Sequence, residues 1–578
     1  MDQTGNSRRK KKPKRKNNIN KSVRNYFRSK EHLSNGDVSE EDAKYFMGIL
    51  TVLREASNDE SKELLATNVI EQTKGREIVL SSHQIASKVI ENLLEFCSDE
   101  TLGEYQEAFK ADIRSLCLNG FSSHVLEKLI SISAMRYLTK NSVEDEPPEK
   151  KIKTEDGIPP GNLSQSKSFV ETCSKFLLNN LEEFVWDSYA NHVIRTCLTT
   201  LSGRILEEKV PIPGEWTEMF KEYVARLRDW PFFADFPYQE LTSGLLQFLI
   251  QALARVDKNT LKSIGGFFTE PNTSETPEED QESPSKLHKL FSTESSIRFL
   301  EVLISVAGNK LFTKIFLRLF QGNFKELSLL KSANFSVQKL LDNMKNKDEF
   351  NICFTELEPH FAEILQTGHT GIILALCLAC KRLEINQNQF IKSLRRALEC
   401  PKEGNFAVCV LKLKPHEHVL KDSSNFIHIH GSVILQEMLN FRKPIDIIQS
   451  ILSISPDQLV TYLNSAKGSF IANAFFSSQF VGEKSRVSFV NHLMNFLVDL
   501  AINKFGSRVV ECLFEASSGE LRGKIVAELA GKINRLQSTP FGFIVSKKLH
   551  VNVYKENAKK WNSLHNKVNK DKGRPNAS

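Results

Sequence analysis

Pairs of polar side chains four residues apart recur along this 578-residue chain, most of them enclosing a residue that can stack or carry positive charge. Ser87 with Glu91, Ser123 with Glu127 and Ser507 with Glu511 join a hydroxyl to a carboxylate, whereas Ser243 with Gln247 and Ser432 with Gln436 join a hydroxyl to an amide. Asn334 with Gln338 joins two amides, and Asn191 with Arg195 and Ile297 with Glu301 occupy equivalent places. Beside the first member of these pairs stand Lys88, His124, His192, Arg298, Phe335 and Arg508. On a helix, i and i+4 share one face and i+1 lies next to them. Two polar edges beside a stacking platform suit single-stranded RNA, whose splayed bases are sandwiched between flat side chains and read along their Watson–Crick edges. The same pairs would also form the solvated face of a protein-binding helical array, but their recurrence favours RNA.

Other chemistry-bearing clusters are weaker. Cys377-Leu378-Ala379-Cys380, with Cys400 and Cys409 downstream, raises a zinc or redox site. There is no second C-x-x-C, and the pair lies in an apolar run where reduced cysteine packs as core. His416-Glu417-His418 and His428-Ile429-His430 are expected as surface or hydrogen-bonded histidines. The chain contains no G-x-x-x-x-G-K-[ST], H-E-x-x-H or G-x-G-x-x-G motif. No catalytic residue, metal or cofactor is expected, and no small-molecule substrate.

The pairs are carried by a repeated phrase. ASKVIENLL at Ala86, SSHVLEKLI at Ser122, ANHVIRTCL at Ala190, ANFSVQKLL at Ala333 and GSRVVECLF at Gly506 are one motif, with looser copies at Thr242, Ser296, His369, Gly431, Gly468 and Gly542. Counted from the second residue of each copy, six of the ten spacings are 36 to 38 residues. Apolar residues at i+2 and i+3 point to a core, and strands have little support. Units of this length that cannot bury an apolar face alone must stack, which predicts an all-α solenoid. Period alone does not separate the kinds of solenoid, and a HEAT or armadillo scaffold for protein partners is the alternative.

Charge divides the chain. Residues 1–30 carry 12 Lys/Arg against one Asp, and residues 555–578 carry 7 against 2, so the net charge of +7 leaves the body between them acidic. Any nucleic-acid surface on the body is therefore a local stripe. Arg8, Arg9, Lys10, Lys11, Lys12, Lys14, Arg15 and Lys16 form a basic run too apolar-poor to fold, which is read as a nuclear or nucleolar address that also attracts phosphates. The expected organisation is a disordered basic tail over 1–38, a solenoid over 39–554 with disordered insertions at 141–168 and 270–289, and a basic tail over 555–578. A Ser39-x-x-Asp42 pair marks the first helix start. The longest apolar stretch is about ten residues, too short for a membrane span, and the start lacks the apolar stretch of a secretory signal. The ten cysteines are expected to stay reduced.

SSHVLEKLI and GSRVVECLF resemble the base-reading helix of Pumilio (PUF) repeats, and the resemblance covers residues 83–550. Eleven divergent copies with long interruptions and a polybasic start are similar to the nucleolar branch of that family, which acts in small-subunit ribosome biogenesis. The resemblance implies a curved solenoid of about eleven three-helix repeats. It further implies that Ser/Glu pairs favour guanine, Ser/Gln pairs adenine, and Asn334/Gln338 uracil with Phe335 as platform. Asn191/Arg195, Ile297, Thr370/Leu374 and Phe543/Lys547 depart from that code, and Gly244 and Val433 weaken stacking. The implied function is that of a nucleolar, monomeric, non-enzymatic protein, working with pre-ribosomal particle proteins. It would bind single-stranded or partly structured precursor small-subunit ribosomal RNA near the future mature 3′ end and shield the strand from cleavage.

Overall fold

The computed structural model describes residues 38–55, 58–144, 160–270, 287–402 and 404–564. All regular structure among them is helical. Each of the eleven motif copies begins or lies in a helix: α1 (Ala86–Leu93), α2 (Ser122–Glu144), α3 (Ser188–Leu201), α4 (Glu240–Val256), α5 (Glu294–Val306), α6 (Asn334–Asn343), α7 (Thr370–Leu383), α8 (Ile429–Met438), α9 (Ser469–Ser477), α10 (Gly506–Ala516) and α11 (Pro540–Lys548).

These helices form because the apolar residues of most phrases fall at i+2, i+3, i+6 and i+7, one stripe at helical spacing, with Ser336, Ser546 and His550 as exceptions. In α2 they are Val125, Leu126, Leu129 and Ile130, and in α10 Val509, Val510, Leu513 and Phe514, all in the core. Burying each such side chain contributes about 1.5–3 kcal/mol. The helix start is set four residues before the index residue i. In eight copies a polar side chain there accepts from N–H groups of the incoming turn: His83, Asn119, Asp187, Thr293, His428, Ser465, Asn503 and Thr539. This is N-capping by five residue types at eight equivalent positions. Ser39 and Asp42 likewise satisfy each other's backbone N–H at the start of the helix Glu40–Glu55.

The residue just before the index must be small, because a main-chain carbonyl six residues back faces it. Ser122 and Thr242 donate their hydroxyls to the Leu116 and Phe236 carbonyls at 3.0 and 2.8 Å. At Gly468, Gly506 and Gly542 the carbonyls of Tyr462, Leu500 and Leu536 come so close that a Cβ would collide with them.

The chain divides into two compact units, one of residues 1–268 with 292–308, the other of 269–291 with 309–578. Within the first, α1 to α5 stack in sequence order; within the second, α6 to α11 do the same. Each is an α-solenoid of helical repeats. No described helix is long and apolar enough to cross a membrane.

Three expected boundaries move. The segment 141–168 is helical at both ends, because α2 continues to Glu144 and a helix opens at Pro160, whose fixed φ suits a first helical position. Around the expected insertion 270–289, Glu270 pairs with Arg318 and Lys289–Phe291 forms a short helical turn that buries Leu290 and Phe291. The C-terminal boundary at 555 falls too early, since Trp561 is 1% exposed, donates to the Leu549 carbonyl and packs edge-on against Phe514 and Tyr554. The basic run Arg8 to Lys16 and the interiors of both insertions lie outside the described residues.

Candidate RNA interface

The capped starts and core stripes give most of these helices the same presentation. Index residues Ser87, Ser123, Asn191, Ser243, Asn334, Ser432 and Ser507 are buried. The next residues, Lys88, His124, His192, Arg298, Phe335 and Arg508, are exposed, and the i+4 residues Glu91, Glu127, Arg195, Gln247, Glu301, Gln338, Gln436 and Glu511 are half-buried between them. The structure exposes the residues expected as platforms and half-buries those expected as readers, and it differs from the expectation at the index, where the side chain is buried. At Ser243, Ser432, Asn334 and Asn191 the index side chain anchors the i+4 residue. Gln247 donates to Ser243 Oγ at 3.2 Å while Ser243 donates to the Ser295 carbonyl at 2.7 Å. Gln436 and Ser432 repeat the arrangement, at 3.0 Å between them and 2.7 Å to the Lys467 carbonyl. Gln338 donates to Asn334 Oδ1 at 2.9 Å, and Asn334 donates to the Lys331 carbonyl at 2.6 Å. Each bond from a glutamine uses one of its amide hydrogens.

Two of the carboxylates at i+4 are held from the following repeat. Thr196 of α3 donates to Glu127 at 2.8 Å, and Lys548 of α11 pairs with Glu511 at 2.7 Å. Both donors sit at i+5 of the next copy, a relation invisible in any single phrase. Burial pushes the Glu127 carboxyl above its ordinary value, partly opposed by the Thr196 hydrogen bond and by His124, whose ring lies 3.4 Å away. Ser123 Oγ is buried without a partner beside this carboxylate, and such a group is satisfied when a ligand supplies one. Glu91, with Lys88, Lys62, Lys128, Phe96 and Met47, lines a cleft of about 1040 Å³ between the helix Glu40–Glu55 and α1.

The copies that depart from the code are explained by their packing. Arg195 bonds Asn191 Oδ1 at 2.7 Å and the Leu241 carbonyl at 3.1 Å, and its guanidinium lies over Gly244, where a Cβ would stand 2.5 Å from it. The guanidinium also lies over the Phe248 ring, 5.9 Å from its centroid. Arg195 thus fills the space beside Gly244 that a side chain there would occupy. Gln338 lies over Gly371 in the same manner. Ile297 joins the core, and Arg298 pairs with Glu294 on its own helix. Thr370 Oγ1 is bonded to His430 Nδ1 at 2.8 Å. Phe543 is exposed, so α11 inverts the pattern at its index.

Sequence reasoning missed Phe470, which occupies the i+1 place of α9 and is 53% exposed, close to the 60% of Phe335. Its signal was present in the phrase GSFIANAFF, where Phe470 follows Ser469 and precedes Asn473 at i+4. The cysteines of the C-x-x-C, Cys377 and Cys380, are wholly buried in α7, as core cysteines should be.

The description of this arrangement in known proteins is a NOP9-like PUF repeat domain, which matches residues 75–211 and 207–543. The chain belongs to the NOP9-like PUF repeat family. Among relatives of that type, mouse Nucleolar protein 9 is 25% identical over 92% of this chain and 90% of its own length. Human Nucleolar protein 9 is 24% identical over 91% and 89%. Pumilio homolog 23 of Arabidopsis thaliana is 22% identical over 91% and 73%. The solved structure of APUM23 with GGAUUUGACGG superposes with a TM-score of 0.70 at 21% identity, covering 91% of this chain and 99% of that one, which places the PUF fold on the whole described array.

Proposed function

We propose that this PUF-family chain is a nucleolar RNA-binding protein of ribosome biogenesis. It binds single-stranded or partly structured precursor small-subunit ribosomal RNA, together with pre-ribosomal particle proteins, and shields the strand from cleavage. The observation that carries the reading is the recurrence of one unit: a half-buried polar reader, fixed by a buried index residue or by the next repeat, beside an exposed stacking or cationic side chain. The names of the relatives, Nucleolar protein 9 and Pumilio homolog 23, support the compartment and the ligand class.

The mechanism needs no bond-making residue. Each base stacked on a platform such as Phe335 contributes about 1–3 kcal/mol, and Glu127 accepts from the N1 and N2 donors of guanine while the Ser123 hydroxyl serves the same edge. A strand held in this way is withdrawn from a nuclease, and the protein acts as a monomeric shield. Lys88, Arg298 and Arg508 contact phosphates, so affinity falls steeply with salt.

The test is footprinting of a precursor small-subunit transcript by a single-strand nuclease, with residues 39–564 at about 0.15 M salt, where phosphate attraction alone is weakened. Protection of a short G- and U-containing stretch, lost in a Ser123→Ala/Glu127→Ala/Gln338→Ala variant that keeps its helical content, is the expected result. Protection unaffected by that variant, or absent once the first 38 residues are removed, would overturn the assignment of the reader helices and leave a protein-scaffolding solenoid.

A further inference from the structure

A second cluster of ligating side chains lies away from the reader positions. Cys400, Cys409 and His416 bring two sulfurs and an imidazole nitrogen within 4.8 Å of one another, and among the described residues this is the group whose donor set suits a metal ion. Cys409 Sγ stands 3.7 Å from His416 Nδ1. In tetrahedral zinc sites, with Zn–S of about 2.3 Å and Zn–N of about 2.0–2.1 Å, adjacent sulfur and nitrogen ligands are about 3.6 Å apart. The separation is therefore already that of two corners of one coordination sphere.

The backbone fixes all three donors. Cys400 follows Glu399, which has a left-handed φ of 48°, and the turn is closed by Glu399 N–H to the Arg396 carbonyl and Cys400 N–H to the Arg395 carbonyl, both 3.0 Å. That is a Schellman closure of the helix Gln387–Ala397. Cys409 lies in the helix Phe406–Lys412, whose end is closed the same way around Leu413 at φ 47°. His416 donates its backbone N–H to the Leu398 carbonyl at 2.9 Å. Gly404 leans over the group so closely that a Cβ would stand 2.8 Å from His416 Cε1 and 3.1 Å from Cys400 Sγ. Two non-glycine residues in the left-handed region and a glycine at van der Waals limit hold three soft ligands around one point.

We propose that Cys400, Cys409 and His416 bind one thiophilic divalent ion of the zinc class, with water in the fourth position. Both thiols release their protons to solvent as the thiolates coordinate, and no electron is transferred. The ion ties the end of one helix to the body of the next and the start of a third, within the long interval between α7 and α8. The helix Phe406–Lys412 packs directly on α8, which carries the Ser432/Gln436 pair. The clip thereby braces the neighbour of a reader helix, and it is independent of what that helix reads.

The test is metal content and cobalt spectroscopy of the full chain. After purification with zinc and gel filtration, about one zinc per chain is expected, and exchange into cobalt should give thiolate-to-cobalt charge transfer with the intense visible bands of a tetrahedral ion. Cys400→Ser, Cys409→Ser and His416→Ala should each lose the metal and the charge-transfer band, while Cys512→Ser, a half-buried cysteine in α10, keeps both. Gly404→Ala, which leaves all ligands in place but fills the cradle, should weaken retention. The folded wild-type chain decides the matter even where a variant misfolds: absence of zinc and of a cobalt charge-transfer band would overturn the proposal. Metal retained by the triple ligand variant would overturn it as well, by placing the ion elsewhere.

Discussion

The two compact units solve the same problem with different side chains. In the first, the residue before every index position carries a Cβ: Ala86, Ser122, Ala190, Thr242 and Ser296. Where it is Ser122 or Thr242, it donates to the carbonyl that closes the turn. In the second unit the last four copies use Gly431, Gly468, Gly506 and Gly542, each pressed against a carbonyl. The readers differ in parallel. The first unit opens with two Ser/Glu pairs beside Lys88 and His124; the second relies on amide pairs, on the bare rings of Phe335 and Phe470, and on a Glu511 engaged by Lys548. The lesson is that the PUF unit specifies a geometry, and several residue sets satisfy it. On the proposed RNA reading, the two Ser/Glu pairs of the first unit would favour specificity by charge, and the bare rings of the second would favour sequence-tolerant stacking.

The sharpest way to break that contrast is Glu127→Ala. A hydrogen bond to a charged group is worth about 1.5–3 kcal/mol, so guanine preference at that repeat should fall by roughly ten- to a hundred-fold at 1.4 kcal/mol per factor of ten. Base-substituted oligonucleotides measured by fluorescence anisotropy give the ratio. Burial raises the Glu127 carboxyl, so it takes up a proton before an ordinary carboxylate does as pH falls. The same preference should therefore fade on acidification from a higher pH than an exposed glutamate would allow. The sign for stability is opposite: a raised carboxyl pKa favours the fold at low pH, and that contribution is lost as pH rises through the folded value. A guanine preference constant down to the usual carboxylate range would contradict this account.

Next in size are Phe335→Ala and Phe470→Ala, each expected to cost about 1–3 kcal/mol of RNA affinity with little change in base preference. Thermal melting should barely move, since both rings are more than half exposed. A loss confined to one base would show that these rings read sequence as well as stack, and the division between the units would fail. Gly542→Ala follows. Its Cβ collides with the Leu536 carbonyl, and overpacking costs about 1–3 kcal/mol. Gain of about 1 kcal/mol in helix propensity offsets part of this. A lowered melting temperature is expected, whereas Ala190→Gly in the first unit should show only the propensity loss.

Much of this was legible in the sequence, and the reason lies in what repeats. Apolar residues at i+2 and i+3 return every 36 to 38 residues, so helices, core stripe and reader positions could be placed before any coordinates. The caps escaped notice because His83, Asn119, Asp187 and Thr539 share a function without sharing a residue type. The index residue was expected to face the base, but its burial depends on carbonyls of the next repeat, such as that of Ser295 on Ser243. Arg195 looked like a failed reader because its partner, Gly244, lies 49 positions on and is met only when helices stack. Cysteine spacing could not show the second cluster either: Cys377 and Cys380 are buried in the core, as their apolar run indicates, while Cys409 meets His416 across a left-handed turn.

The smallest effect discriminates most finely between the two units. Glu511 carries the same Ser/Glu signature as Glu127, yet its carboxylate is held by Lys548, which also reaches Glu515 at 3.4 Å. About half of the Lys548 side chain is exposed, and such pairs are worth about 0–1 kcal/mol. A guanine arriving at this repeat has to displace that cation, whereas at Glu127 the neutral Thr196 hydroxyl can remain and leave the second oxygen to the base. Lys548→Ala should therefore raise guanine preference at the Glu511 repeat by a few-fold at most, while Thr196→Ala lowers it at Glu127. Competition assays with single-base variants of one oligonucleotide measure both. If Lys548→Ala instead weakens guanine binding, the lysine is a phosphate clamp rather than a competitor, and charge-based reading extends into the second unit after all.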